Sequence, residues 1–397
     1  MGFRYVILGA GRQGVSMAYD LARAGEAERI TLADADVNIA RRALMRLATL
    51  LPGTRCEFAA ARCDVRSAAE VEPVLAGAHV VVSAVPYRFN EQLTDAAIAA
   101  GASFCDLGGN TGVVMSQLAR HQWALARGVS VVPDCGLAPG LGNILAADGI
   151  LALDRPRHVH VRCGGLPQRP VGPLGYKLVF NFEGLINEYS GAGEFLRGGQ
   201  RVSVPALTEP EEIDFPPPLG RCEAAVTSGG TSTCPMTWHG RVETYDYKTV
   251  RYPGHFAVVR ALFELGCFEE RCVAADGATL EPRRVLRELF ESRLSYPDVR
   301  DLVVLRCTVS GEHGGRPTTR VYNLLDLHDE KTGFTAMERT TGFPAALVAY
   351  MQARGVVPPG ARPLEVAVPP AQYLAELAGH DVRVTLDVHT GDAPAAT

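Results

Sequence analysis

The chain has 397 residues, 47% of them hydrophobic and 21% charged, with 10 cysteines and a formal net charge of −5. One core rarely grows past about 250 to 300 residues, so two domains are expected, and the mild acidic balance offers no basic footprint for nucleic acid or anionic lipid. No apolar stretch approaches the roughly 18 to 20 residues of a membrane-spanning helix, and the apolar run after Tyr5 reads as a strand rather than a signal segment, which predicts a cytoplasmic protein.

From the N-terminus, apolar β-rich runs at 3–8, 29–34, 57–64, 79–86, 103–107 and 129–134 alternate with helical patterns. That alternation predicts an α/β fold, a Rossmann-type doubly wound parallel sheet whose strands are covered on both faces. After Asp134 the alternation stops. Long strand-like runs at 158–163, 242–247, 302–309 and 320–327 favour a second, α+β domain with a mainly antiparallel sheet. The last two runs flank Gly314 and Gly315, which suit a hairpin turn. The stretch 209–220, rich in Glu and Pro, is expected to be an exposed loop, and the tail 391–397 is expected to fray. No cysteine pair has CxxC spacing, so neither a zinc ribbon nor a dithiol redox centre is indicated.

Gly9, Gly11 and Gly14 form GxGxxG between the first predicted strand and the first helix. Glycines there permit a tight turn and close approach to a pyrophosphate, to which the helix N-terminus offers amides and positive dipole. Arg12 and Gln13 stand within this turn. Asp34 closes the second strand 20 residues beyond Gly14, where a carboxylate binds the adenosine ribose and repels a 2′-phosphate, selecting NAD. Asp64 and Val65 after the third strand, and Val85 and Pro86 after the fourth, fall on the carboxyl edge where open sheets of this kind bind ligands. Asn110, closing CDLGGN, joins the same edge.

PDCGLAPGL at 133–141, GGLP at 164–167, PLGYK at 173–177, EY at 188–189, TSGGTST at 227–233, KTVRYPGH at 248–255 and RTTGFP at 339–344 follow in an order that resembles the saccharopine dehydrogenase-like family. Within it, the CGLAPG, KTVRYPGH and RTTGFP set most resembles the lysine 6-dehydrogenases, NAD-dependent enzymes that oxidise the side-chain amine of lysine. The resemblance implies a second domain inserted into the first, with boundaries placing 1–136 and 337–397 in the NAD-binding unit and 137–336 in a substrate-binding and dimerisation unit. It also implies a homodimer or higher even oligomer.

Amine oxidation by hydride transfer needs a free-base amine and a group that moves protons. KTVRYPGH supplies Lys248, Arg251, Tyr252 and His255 where a strand is expected to turn through Pro253 into a helix. His255 is the leading acid/base candidate because imidazole titrates near neutrality. Lys248 serves instead if desolvation lowers its pKa, the alternative being a plain ion pair. Asp134 orients one of them or merely caps a turn. Arg251 suits a substrate α-carboxylate through its planar fork, beside Tyr252. Tyr176 and Glu183 on GYKLVFNFEG, a predicted strand leading into a helix, and Gly165 in GGLP complete the substrate candidates. Glu183 is placed either for the α-ammonium or for a helix dipole. Cys135 is expected to be a packed thiol. His158 and His160 share a strand face without a third ligand, so no metal is predicted.

Overall fold

A computed structural model describes residues 2–391; the tail beyond Gly391, expected to fray, lies outside the described residues. The first sheet is parallel and built from β1 (Phe3–Leu8), β2 (Ala27–Asp34), β3 (Glu57–Arg62), β4 (Val80–Ser83), β5 (Ser103–Asp106) and β6 (Ser130–Val132). Its order is β3-β2-β1-β4-β5-β6, with Gly360–Ala361 added beside β6. The order reverses direction between β1 and β4, so a crevice opens above their carboxyl ends. All four residues of VVVS in β4 are buried, as a strand covered on both faces requires.

The second sheet runs β10-β11-β12-β7-β13-β14-β15, with a β8–β9 hairpin alongside β12. Its strands are β7 (Arg155–Pro167), β8 (Ala192–Arg197), β9 (Gln200–Pro205), β10 (Glu211–Phe215), β11 (Gly220–Val226), β12 (Thr244–Arg251), β13 (Asp301–His313), β14 (Arg316–Leu327) and β15 (Thr385–Thr390). Only β12 and β7 pair in parallel. The β13–β14 hairpin closes at His313 and Arg316, with Gly314 and Gly315 both at positive φ. An L side chain is strained there, and glycine is not.

Five helices carry the site: α1 (Arg12–Ala24), α2 (Leu141–Leu151), α3 (Phe182–Tyr189), α4 (His255–Glu264) and α5 (Ala336–Ala353). Helix α2 is buried on nearly every side. Its Gly142 lies against Val161 and Leu305, and a Cβ at Gly149 would run into Val309, so the helix lies flat on the second sheet. Helix α5 packs against α1. Its start is fixed from both sides: Asp301 accepts the Ala336 and Met337 amides at 3.0 Å each, and Thr335 and Glu338 cap each other.

Three expectations need correction. The stretch 209–220 is not simply an exposed loop: Glu211–Phe215 is a strand, and Ile213, Phe215 and Leu219 pack with Leu166, Val250 and Leu302. No strand precedes α3; residues 173–181 are irregular and enter the helix through Asn181, which caps the Gly184 amide. The C-terminal boundary also shifts. Helix α5 and Gly360–Ala361 return to the first sheet, but Thr385–Thr390 pairs with β14 of the second, so 337–397 does not belong wholly to the nucleotide unit. Among the described residues no helix is long and apolar enough to cross a membrane.

Candidate active site

The glycine turn has the geometry its sequence implies. Gly9 sits at φ +98, and a Cβ there would meet the Ala84 carbonyl. A Cβ at Gly14 would run into the Gly9 carbonyl oxygen, whereas nothing lies within 4 Å of the corresponding point at Gly11. Gly14 therefore closes the turn on itself, and Gly11 keeps the approach to the α1 N-terminus clear. These residues fit a dinucleotide pyrophosphate. Asp34 accepts the Ala10 amide at 3.0 Å through one carboxylate oxygen and the Asp36 amide at 3.1 Å through the other, so it braces the glycine turn from the end of β2. Val85, Pro86 and Asn110 lie on the same carboxyl edge, with Asn110 capping the Val113 amide. Asp64 is held by Arg66 at 2.6 Å, and the Val65 carbonyl accepts from Gln92.

Arg12 reaches sideways from the turn to Glu338 at 2.8 Å and to the Thr335 hydroxyl at 3.2 Å, tying the nucleotide loop to the start of α5. Gln13 does not face the cofactor edge: its amide donates to the Met337 carbonyl, and its oxygen is buried without a partner.

Across the crevice stands a cluster that the sequence gathers from three separated segments. Arg251, at the end of β12, is 2% exposed, with its guanidinium 4.9 Å from the Tyr176 ring centre and 5.7 Å from that of Tyr189. Its Nε donates to the Tyr189 hydroxyl at 3.0 Å, one Nη to the Val250 carbonyl at 3.0 Å, and the other approaches the Glu188 carboxylate at 3.4 Å. Glu188 lies in the last turn of α3, with its side chain 28% exposed. Burial pushes its carboxyl up to about 7, against the lowering effect of Arg251. A carboxylate poised there is a serviceable general base at neutral pH. The preceding residue, Asn187, donates to the Gly109 carbonyl at 3.1 Å, which brings this helix end onto the CDLGGN loop of the nucleotide sheet.

A second carboxyl group faces the same loop. Asp134 follows β6 at φ +62 and is buried, and Ser232 of the second domain, itself at φ +45, donates to it. Burial and the neighbouring Asp106 push the Asp134 carboxyl up to about 8, so it is neutral at physiological pH. Gly108 is required beside it because a Cβ there would strike the Asp134 Oδ1. The unfolded group ionises near 3.8 and the folded one near 8, so stability is lost as pH rises through that window. Asp134→Asn is expected to remove a slope of about 1.4 kcal/mol per pH unit between pH 5 and 8, read from urea midpoints of both proteins. Parallel pH dependences would show that Asp134 is ionised in the native state.

The remaining predicted residues fall elsewhere. His255 opens α4, but burial and Arg251 drive its imidazole down to about 3. Its two nitrogens are committed to the Tyr189 hydroxyl at 2.7 Å and the Leu174 carbonyl at 2.9 Å. It is a neutral imidazole near neutrality with its single ring N–H already committed, so the acid/base reading of His255 does not hold. Lys248 lies on the opposite face of β12 from Arg251, since alternate residues point to opposite sides, and pairs with Glu211 at 2.6 Å beside Arg162 and Asp246. That is the ion-pair alternative. Tyr252 shares this outer face, its hydroxyl on the Pro167 carbonyl at 2.9 Å. Glu183 is held by Arg283 and Arg287 on the surface, and Gly165 makes room for Met337. Cys135 is buried, and burial raises its thiol well above its ordinary value. His160 pairs with Asp246 and His158 with Thr244.

Asn187 was not singled out by sequence reasoning, and Glu188 and Ser232 stood there only within the EY and TSGGTST motifs, with no role assigned. Phe182, Leu185, Ile186 and Tyr189 form the buried stripe of α3, and periodicity alone puts Glu188 beside that stripe as an ordinary surface acid. Only its burial against the crevice marks it out.

Residues 5–132 match the family model described as saccharopine dehydrogenase NADP binding domain, and residues 136–382 match that of the saccharopine dehydrogenase C-terminal domain. The chain belongs to the saccharopine dehydrogenase family, a family of oxidoreductases. It is 24% identical over 216 residues to the saccharopine dehydrogenase [NADP(+), L-glutamate-forming] of Saccharomyces cerevisiae, covering 52% of this chain and 48% of that one. It is 23% identical over 244 residues to the Schizosaccharomyces pombe protein of the same name, covering 59% and 53%. The chain therefore spans about half the length of these curated relatives. The solved apo saccharopine dehydrogenase (L-Glu forming) of Saccharomyces cerevisiae superposes with a TM-score of 0.76 at 18% identity, covering 98% of this chain and 100% of that one. The overall fold is shared across both domains.

Proposed function

We propose that the protein is an NAD-dependent dehydrogenase acting on the side-chain amine of L-lysine, giving 2-aminoadipate 6-semialdehyde and ammonia. The observation that carries this reading is the Glu188–Arg251 pair against the Asn187–Gly109 contact: a base poised near 7 and a carboxylate anchor, both facing the carboxyl edge of the nucleotide sheet. Bound NAD would accept the hydride from the ε-carbon. Arg251 holds the substrate α-carboxylate, and Glu188 takes the proton that frees the ε-amine. Glu188 and the neutral Asp134 then stand on the two sides of the crevice to move protons as water replaces nitrogen and ammonia leaves. The semialdehyde closes on its own α-amine with loss of water to a piperideine-6-carboxylate.

Asp34, with Asp36 two residues on, supports NAD: a 2′-phosphate would meet carboxylate rather than cation at the end of β2. The yeast relatives are named for NADP and L-glutamate formation, so saccharopine with NADP is the competing assignment. Saccharopine carries three carboxylates. Lys177 binds the Tyr296 and Val299 carbonyls and Lys248 binds Glu211, which leaves Arg251 as the cation that β12 directs at the crevice and favours a substrate with one carboxylate. A small amino acid as substrate and pairing into a homodimer in the cytoplasm accompany this proposal.

Absorbance at 340 nm with lysine, ornithine, cadaverine and saccharopine, each with NAD and with NADP, tests the assignment. NADH formation with lysine is expected. Turnover confined to saccharopine and NADP would replace it with the competing assignment.

A further inference from the structure

We propose that His255 and Tyr189 are positioning residues: a one-way chain of buried hydrogen bonds from α4 through α3 fixes the Arg251 guanidinium for a substrate carboxylate. The proposal rests on the reading of Arg251 as the carboxylate anchor. A guanidinium only donates, so in the contact between Arg251 Nε and Tyr189 the phenol oxygen accepts at 3.0 Å. The phenol hydrogen is then free to go to His255 Nε2, 2.7 Å away, which must be unprotonated to receive it. The ring hydrogen therefore sits on Nδ1 and is donated to the Leu174 carbonyl at 2.9 Å. Each link has one possible direction, and Arg251, Tyr189 and His255 are all buried.

The packing repeats the instruction. Tyr176 lies 4.9 Å from the Arg251 guanidinium and meets the His255 ring edge-on at 5.3 Å, so two tyrosine rings and the imidazole hold the fork in one plane. Of the five N–H groups of Arg251, one goes to Tyr189, one to Val250 and one toward Glu188. Two remain for a ligand, the number a bidentate carboxylate grip uses. Arg251 is a buried cation whose donors are assigned in advance, and the residue that assigns the first of them is a histidine that never needs to change charge.

Tyr189→Phe and His255→Leu break the chain at different links, while His255→Gln retains an oxygen to accept from Tyr189 and an amide to donate to Leu174. Hydrogen bonds to charged groups contribute about 1.5 to 3 kcal/mol, so KM for lysine is expected to rise about 10-fold or more in Tyr189→Phe and His255→Leu, with kcat within about threefold of wild type. His255→Gln is expected to restore KM, and the pH profile of kcat is expected to stay in place in all three. The dissociation constant for NAD reports whether each variant is folded. A fall in kcat with KM unchanged, a displaced pH profile, or a Gln variant no better than Leu would overturn the proposal. If the wild type binds lysine but does not turn it over, the amine-oxidation reading falls alone, and the relay is then judged by calorimetric titration of lysine into the NAD-loaded proteins. Tenfold weaker binding by Tyr189→Phe supports the relay; equal binding, or none by the wild type, overturns it.

Discussion

Replacing Glu188 by Gln is expected to lower kcat/KM for lysine by about three orders of magnitude, in the range seen when a positioned general base is removed. The substitution keeps the shape and the contact with Arg251 while removing the group that ionises. In the wild type, activity is expected to rise with pH through an apparent value near 7, because burial raises the Glu188 carboxyl to about 7 and only its ionised form can take a proton from the ε-ammonium. The variant is expected to lose that rising limb. The same shift has a consequence for stability with its own sign: a carboxyl raised in the folded state favours folding when protonated, so Glu188→Gln is expected to be as stable as wild type at pH 5 and more stable at pH 8. A variant that keeps the limb near 7 would show that another group supplies the base.

The second large effect separates the two glycines that sequence spacing groups together. Gly14→Ala sets a methyl group against the Gly9 carbonyl oxygen. Because the obstacle is backbone, the turn itself must move, at a cost of about 1 to 3 kcal/mol of stability, and NAD binding is expected to weaken at least about 100-fold as the amides of the α1 N-terminus lose their aim. Gly11→Ala adds the same methyl group to open space. Its melting temperature is expected to stay close to wild type, since an N-cap change between these residues costs at most about 1 kcal/mol, while NAD binding falls steeply because the ligand itself fills that space. Equal NAD affinity in Gly11→Ala and wild type, measured by calorimetry, would mean that the pyrophosphate does not lie over this turn.

Much of the fold was legible because it is written in periodicity. Parallel strands buried on both faces leave unbroken apolar runs such as HVVVSAV, and GxGxxG followed by Asp34 marks the first turn and the end of β2. The second sheet was legible where its strands were long. Its edges were not: EEIDF in β10 alternates acids with apolar residues beside a proline run, and its Ile213 and Phe215 are buried by Leu166, Val250 and Leu302, which lie far from them in the chain. The tail strand Thr385–Thr390 is exposed at every position, so no hydrophobic pattern announces it.

The site was legible by segment and not by direction. KTVRYPGH was correctly read as a strand passing into a helix, yet one residue of shift along a strand reverses the face. Arg251 therefore turns to the crevice, while Lys248 and Tyr252 turn away. His255 drew notice for a pKa that burial then removes from the physiological range. Glu188 stood only within a short motif and without a role, because a carboxylate acquires a pKa near 7 from its surroundings, which sequence does not display. Asp134 was read as orienting or capping; its burial beside Asp106 makes it instead an acid held in neutral form, against the lowering effect of the Ser232 hydroxyl.

Hydride abstraction from the ε-carbon is the central claim, and lysine deuterated at that carbon tests it most directly. With NAD as acceptor, mass spectrometry of the reduced nucleotide is expected to show one deuterium per molecule formed, with ammonia released in equal amount. Reduced nucleotide without deuterium, or deuterium transfer without ammonia, would contradict oxidative deamination of the side chain.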